Sequence, residues 1–289
     1  MNISLKLAIT ILYSILLIIC NQITARGSAT QVSTELKAEK NKPKQTGLIN
    51  IIEKPLKTTK DIEPITSKFV KPVRYTNVLS LASLSVVKKK KKFIELVLPG
   101  ILIAKFENKK KREKVIALSN KKERSKEEQA YLDEMLKSYK AKSLDDLKKR
   151  LLTHPTSIIL AQASIECGWG TSRFFLEGRN IFGVWSFDSS KPRIKTKGTR
   201  NGKHIYVKKY ATISEAINDY LKTLARGGPY ARFRETRAKT KDPYTIIKTL
   251  DKYSELGEEY IAKMNKQIRY NELTKYDDYQ IDPKFIVVN

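Results

Sequence analysis

The stretch ILAQASIECGWGTSRFFLEGRNIFGVW, residues 159–185, places one carboxylate, Glu166, at the end of an apolar run and follows it at once with Cys-Gly-Trp-Gly. Pro155, a few residues upstream, suits the first turn of a helix, where its missing N–H would be unpaired anyway. From Ile158 to Ile165 the run is apolar nearly all round, the pattern of a central buried helix. On a 3.6-residue period Glu166 stacks over Ile159, Gln162 and Ala163. A carboxylate in such company loses hydration when ionised, so its pKa should rise. A carboxyl that keeps its proton near neutral pH can serve as general acid toward a glycosidic oxygen. The competing reading is structural: Glu166 caps the helix end or pairs with Arg173 or Arg179.

Gly168 and Gly170 flank Trp169, which allows a tight helix end with a flat ring fixed beside the acid. Asn180 then leads into Phe182-Gly183 and Trp185. Aromatic faces beside amide side chains suit a sugar ring, although aromatic enrichment alone also describes a core.

Working outward, 154–282 reads as one mainly helical domain. TISEAINDYLKTLARGG has Thr212 or Ser214 as N-cap and Gly227 as stop, with apolar residues at helical spacing between them. DPYTIIKTLDKY and GEEYIAKMNKQIRYNEL read as further helices. Asn201-Gly202 between alternating runs is a type I′ hairpin signal. The expectation is an α+β, mainly α fold, a lysozyme-like helical body with a small β-hairpin lobe over a cleft. Residues 86–153 are expected to form amphipathic helices, broken at Pro99-Gly100, with capping-type starts at Ser125/Glu128 and Ser143/Asp146. These helices must bury a face, and the C-terminal domain is the expected partner.

The first 25 residues read as a signal peptide or signal anchor: Lys6 precedes an apolar core from Leu7 to Cys20, followed by small residues. Export, to a periplasmic, outer-surface or membrane-tethered position, is therefore expected. Residues 26–85, rich in Lys, Thr, Ser, Glu and Pro, read as a low-structure linker, and 283–289 as a tail. Lys+Arg 57 against Asp+Glu 30 gives a formal net charge of +27 over 289 residues. Such an excess favours polyanionic surfaces, whether anionic membrane or wall polymer. Neither a zinc-ligand pattern nor an RNA-binding sheet signature accompanies it, and with the export signal this argues against a nucleic-acid partner. No metal-ligand cluster or cofactor motif is visible, and His154 and His204 stand isolated.

The motif LAQASIECGWGTSRFFLEGRNIFGVW resembles the signature of the bacterial peptidoglycan-cleaving glucosaminidase family, the mannosyl-glycoprotein endo-beta-N-acetylglucosaminidase-like domain, and most closely its Bax-like branch. There the pattern AQAxxESGWGTSRFxxEGNNxFG recurs, and the resemblance runs from about Phe93 to Asp282. It implies an endo-β-N-acetylglucosaminidase acting as a monomer on peptidoglycan glycan strands. The family's catalytic acid falls on Glu166 and its assisting tyrosine on Tyr253, the first of the pair Tyr253 and Tyr260. Trp169, Asn180, Phe182, Trp185, Tyr230 and Tyr260 fall on cleft positions expected to bind substrate. Cys167 replaces the family's serine and leaves an oxidisable thiol next to the acid.

One departure matters. Many members carry a second carboxylate on the hairpin lobe, yet between Asp188 and Glu215 this chain has neither Asp nor Glu. Three routes stay open: attack by the substrate's own 2-acetamido group, which the missing carboxylate favours, Asp188 acting as base, or attack by a sugar hydroxyl as in a lytic transglycosylase. A non-catalytic wall-binding module would keep the aromatics without needing the acid.

Overall fold

The computed structural model describes residues 47–200 and 202–288. The expected signal segment and the first part of the expected linker lie outside the described residues. Among the described residues no helix is long and apolar enough to cross a membrane.

Nine helices among the described residues carry the fold: α1 Val86–Ser119, α2 Lys126–Tyr139, α3 Leu144–Arg150, α4 Thr156–Glu166, α5 Arg173–Gly178, α6 Ile213–Arg226, α7 Ala231–Lys239, α8 Pro243–Ile247 and α9 Glu258–Tyr270. Helix α4 is the axis. Its residues from Thr156 to Ser164 are all buried, as the unbroken apolar run requires. Around it pack α1, α6 and α9, whose Phe93, Leu96, Ile217, Leu224, Met264 and Ile268 are almost wholly removed from water.

The starts of the helices follow local rules. Ser125 and Glu128 close a reciprocal capping box at α2, and Ser143 and Thr212 each accept a backbone N–H at α3 and α6. Helix α1, expected to break at Pro99-Gly100, instead runs through 34 residues without interruption. Pro99 forfeits one backbone hydrogen bond, at a cost of about 3 kcal/mol. Residues 93–104 are buried on every side, and that packing outweighs the loss. A Cβ on Gly100 would lie 2.7 Å from Ile213 Cγ2, so the glycine marks the point where α6 begins against α1.

Residues 47–85 are not a linker. The strands β1 Gly47–Ile49, β2 Ile52–Lys54, β3 Phe69–Val70 and β4 Val73–Tyr75 tie this segment to itself and to the far end of the chain. β2 pairs with β4 in parallel, β1 runs antiparallel to β8 Ile286–Val288, and β3 runs parallel to β7 Gln280–Ile281. Thus residues expected as a free tail hold the N-terminal strap. Ile62 and Leu81 are fully buried, and Asn77 clamps Leu56 by accepting its N–H at 2.6 Å and donating to its carbonyl at 2.8 Å. Sparse aliphatics are thus enough when their partners lie elsewhere in the chain.

The expected union of N-terminal helices with the C-terminal body is present. Val115 and Leu118 of α1 join Leu132, Met135, Leu147 and Ala225 in a second core. The hairpin is present too: β5 Arg193–Arg200 and β6 Lys203–Lys208 pair antiparallel, with Gly202 at φ 72° in the turn, while its tip residue 201 lies outside the described residues. Asp219 of α6 fixes the hairpin base by accepting from Lys208 Nζ at 2.7 Å and from Tyr210 Oη at 2.6 Å. The result is a mainly helical α+β fold.

Candidate active site

Helix α4 ends at Glu166 because the next turn leaves the right-handed region. Gly168, Trp169 and Gly170 take φ of 57°, 57° and 82° in succession. A Cβ at Gly170 would stand 3.2 Å from both Leu81 and Phe93, so the turn needs glycine for space as well as for φ. Trp169 has no such freedom, and its left-handed backbone costs about 1–3 kcal/mol. Its ring is held by an edge contact with Phe93, centroids 5.5 Å apart, and by Lys90 Nζ 5.3 Å above it. Cys167, inside this turn, is fully buried, and burial pushes its thiol up to about 12. The expected oxidisable thiol is therefore a protonated, shielded core residue.

Neither structural partner proposed for Glu166 engages it. Arg173 bonds Glu177 and the Lys195 carbonyl, and Arg179 bonds the Tyr210 and Thr76 carbonyls. Glu166 Oε1 instead accepts from Tyr260 Oη at 2.9 Å. Its Oε2 has no partner among the described residues. The residue keeps an open face to solvent, yet the protein around its carboxyl desolvates it. Desolvation raises the carboxyl above the ordinary glutamate value, and the Tyr260 hydrogen bond opposes the rise. The open face limits the size of the shift; its direction is the one a general acid requires.

Four tyrosines stand together beside this acid. Tyr253 stacks on Tyr260 with centroids 5.4 Å apart, Tyr230 lies 6.3 Å from Tyr253, and Tyr220 meets Tyr253 edge-on at 6.4 Å. Of the pair Tyr253 and Tyr260, it is Tyr260 that makes the hydrogen bond to the acid. Tyr260 sits in the first turn of α9, facing α4, and Tyr253 lies in the loop before it. The Tyr253 hydroxyl has no hydrogen-bond partner among the described residues. Desolvation, joined by the nearby Tyr260 and Glu166, holds that phenol well above its ordinary value.

Other expected site residues divide. Asn180 is buried and fully employed: Nδ2 donates to the Val184 and Lys208 carbonyls, and Oδ1 accepts from Val184 N–H. Both its amide protons are taken up in holding the loop and the hairpin together. Phe182 is likewise core, stacked on Tyr220 at 4.1 Å. Trp185 and Phe187 are exposed and, with Arg193, His204 and Tyr206, line a groove of about 260 Å³ on the lobe. Phe187 was missed by sequence reasoning, and its exposure is not visible in spacing. Asp188 points its bonds into its own turn. Its Oδ1 accepts from Ser190 Oγ at 2.6 Å and Ser190 N at 3.0 Å, and Lys191 Nζ lies 3.6 Å from Oδ2. These Ser190 bonds, with Lys191, hold its carboxyl below the usual aspartate range. No group of acids, His and Cys suited to a metal occurs among the described residues.

Fold and site define a mainly helical α+β protein with a partly desolvated glutamate at the end of its central helix, walled by tyrosines. Residues 141–276 match the glucosaminidase family model, described as mannosyl-glycoprotein endo-beta-N-acetylglucosaminidase. Over 188 residues the chain is 26% identical to protein bax of Escherichia coli (strain K12), a match that spans 60% of this chain and 66% of that relative. Among solved structures it is similar to the catalytic domain of the autolysin Auto from Listeria monocytogenes, at 21% identity and a TM-score of 0.38, covering 57% of this chain and 96% of that one. It is also similar to a glycoside hydrolase domain of FlgJ from Salmonella typhimurium, at 23% identity and a TM-score of 0.32, covering 48% and 96%.

Proposed function

We propose that the protein is an exported peptidoglycan hydrolase of the endo-β-N-acetylglucosaminidase type, with Glu166 as general acid. The observation that carries this reading is the pairing of a desolvated glutamate, raised above its ordinary pKa, with a tyrosine hydroxyl on one oxygen and no group of the described residues on the other. That leaves Oε2 to protonate the leaving oxygen of a glycan strand. The family match supports a glycosidase, and the relatives named as an autolysin and a glycoside hydrolase domain are consistent with it in name.

Among the described residues no second carboxylate acts on Glu166. Two-carboxylate hydrolysis needs its groups roughly 5–10 Å apart. Asp188 is tethered within its own turn, and the hairpin supplies no replacement. Attack by the substrate's 2-acetamido group removes the need for one, and the unpartnered Tyr253 hydroxyl is suited to orient that group. Trp169, Tyr230 and Trp185 offer faces for sugar rings. The same lack of a partner acid favours one second reading, a lytic transglycosylase in which a sugar hydroxyl attacks.

Digestion of purified peptidoglycan and identification of the new ends separates them. Reducing N-acetylglucosamine ends are expected. Anhydro-muramic ends would replace hydrolysis with transglycosylation, and intact glycan after prolonged incubation would remove the enzymatic reading.

A further inference from the structure

Behind Tyr260 the structure holds a line of buried polar groups that the chemistry above does not use. Tyr260 Oη accepts from Gln162 Nε2 at 3.1 Å, and Gln162 Oε1 accepts from Tyr220 Oη at 2.5 Å. Tyr220 Oη is also 2.9 Å from His154 Nε2. Glu166, Tyr260, Gln162, Tyr220 and His154 thus form one continuous wire crossing from α9 to α4, on to α6, and back to the loop before α4. Its four inner members are 0–3% exposed. Groups this deeply buried adopt one arrangement only if each donor finds an acceptor.

Such a wire can run in two directions. In one, His154 Nε2–H donates to Tyr220, which donates to Gln162, whose amide donates to Tyr260, which donates to Glu166. Reversed, the Gln162 amide is flipped and His154 carries its proton on Nδ1. His154 Nδ1 is buried and has no partner. The first direction leaves there a bare lone pair, whereas the reverse leaves a buried N–H without an acceptor, the costlier of the two defects. Charge agrees. The cations facing this end are Arg237 from α7 and Lys105 from α1, and both oppose an imidazolium, as does burial itself. The phenol oxygen of Tyr220 is turned toward the cations, and its proton toward Glu166.

We propose that His154, Tyr220 and Gln162 are positioning residues that fix this direction, so that Tyr260 donates to Glu166 Oε1 in both charge states and the transferable proton resides on Oε2. The assignment rests on Glu166 being the acid of the preceding section. When Glu166 gives up the Oε2 proton, Tyr260 already holds the other oxygen, and no hydrogen need be rearranged in the core as charge develops. The groups whose charge bears on Glu166 are Tyr260 and Tyr253 near α9, Tyr220 on α6 and Cys167 beside it, all neutral at ordinary pH.

Two readouts test it. The chain has two histidines, so an imidazole ¹⁵N spectrum of the full protein, with His204→Asn for assignment, isolates His154. It should show the neutral Nε2–H form from about pH 5 to 8; an Nδ1–H form or an imidazolium in that range overturns the proposal. This result does not depend on activity, so it stands or falls apart from the proposed reaction. In Tyr220→Phe, Gln162 loses its donor and its amide is free to turn and take the Tyr260 proton away from Glu166. Glu166 then loses the bond that favours its ionised form. The high-pH limb of the wall-cleavage profile should move upward, with kcat about tenfold lower and KM unchanged. A folded Tyr220→Phe whose profile superimposes on the parent's would overturn it as well.

Discussion

At Glu166 the fold sets two influences against each other, desolvation raising the carboxyl and Tyr260 lowering it. Tyr260→Phe removes the lowering influence alone. The high-pH limb of activity should rise, with a loss of kcat of about tenfold, measurable as a pH–rate profile. A carboxyl whose folded pKa lies above its unfolded value contributes stability below the unfolded value and loses it as pH rises through the folded one. Glu166→Gln should therefore raise the melting temperature at neutral pH and give no gain near pH 4, about where the unfolded carboxyl titrates. Much of this was legible in the sequence, because an acid ending an apolar helix is desolvated wherever that helix is buried. The roles of Asn180 and of the tyrosine pair were not legible. Asn180 is claimed by the Lys208 carbonyl, 28 residues away, and it is Tyr260 in the first turn of α9, not Tyr253 before the helix, that reaches the acid.

Among the elements, the helices announced themselves where the signal is local. Caps at Ser125, Ser143 and Thr212 sit at fixed spacing from the groups they satisfy. The strap and the continuity of α1 were hidden because their causes are distant: β1 and β3 find their partners more than 200 residues on, and the packing around Pro99 depends on α6. Ile62→Ala should cost about 2–5 kcal/mol in urea unfolding, since its side chain is wholly buried; a linker residue would cost nothing. In α1, Gly100→Ala gains about 1 kcal/mol of helix propensity, yet it places a Cβ 2.7 Å from Ile213 Cγ2. Overpacking of about 1–3 kcal/mol should prevail, giving a net loss of stability in the same assay.

Over the whole molecule, a formal charge of +27 meets a proposed substrate bearing peptide carboxylates. Lysines and arginines crowd the hairpin, and exposed charges of this kind act at long range only while salt is dilute. Binding to purified wall should weaken several-fold between dilute and physiological salt, and unchanged binding would make the charge irrelevant to encounter. The charge does not touch the proposed chemistry, whose acid is Glu166. The most direct test is therefore Glu166→Gln assayed on purified peptidoglycan. Release of new reducing ends should fall by roughly 10²–10⁴-fold, with wall binding and folding retained. Release at the parent rate by the folded variant would contradict Glu166 as that acid.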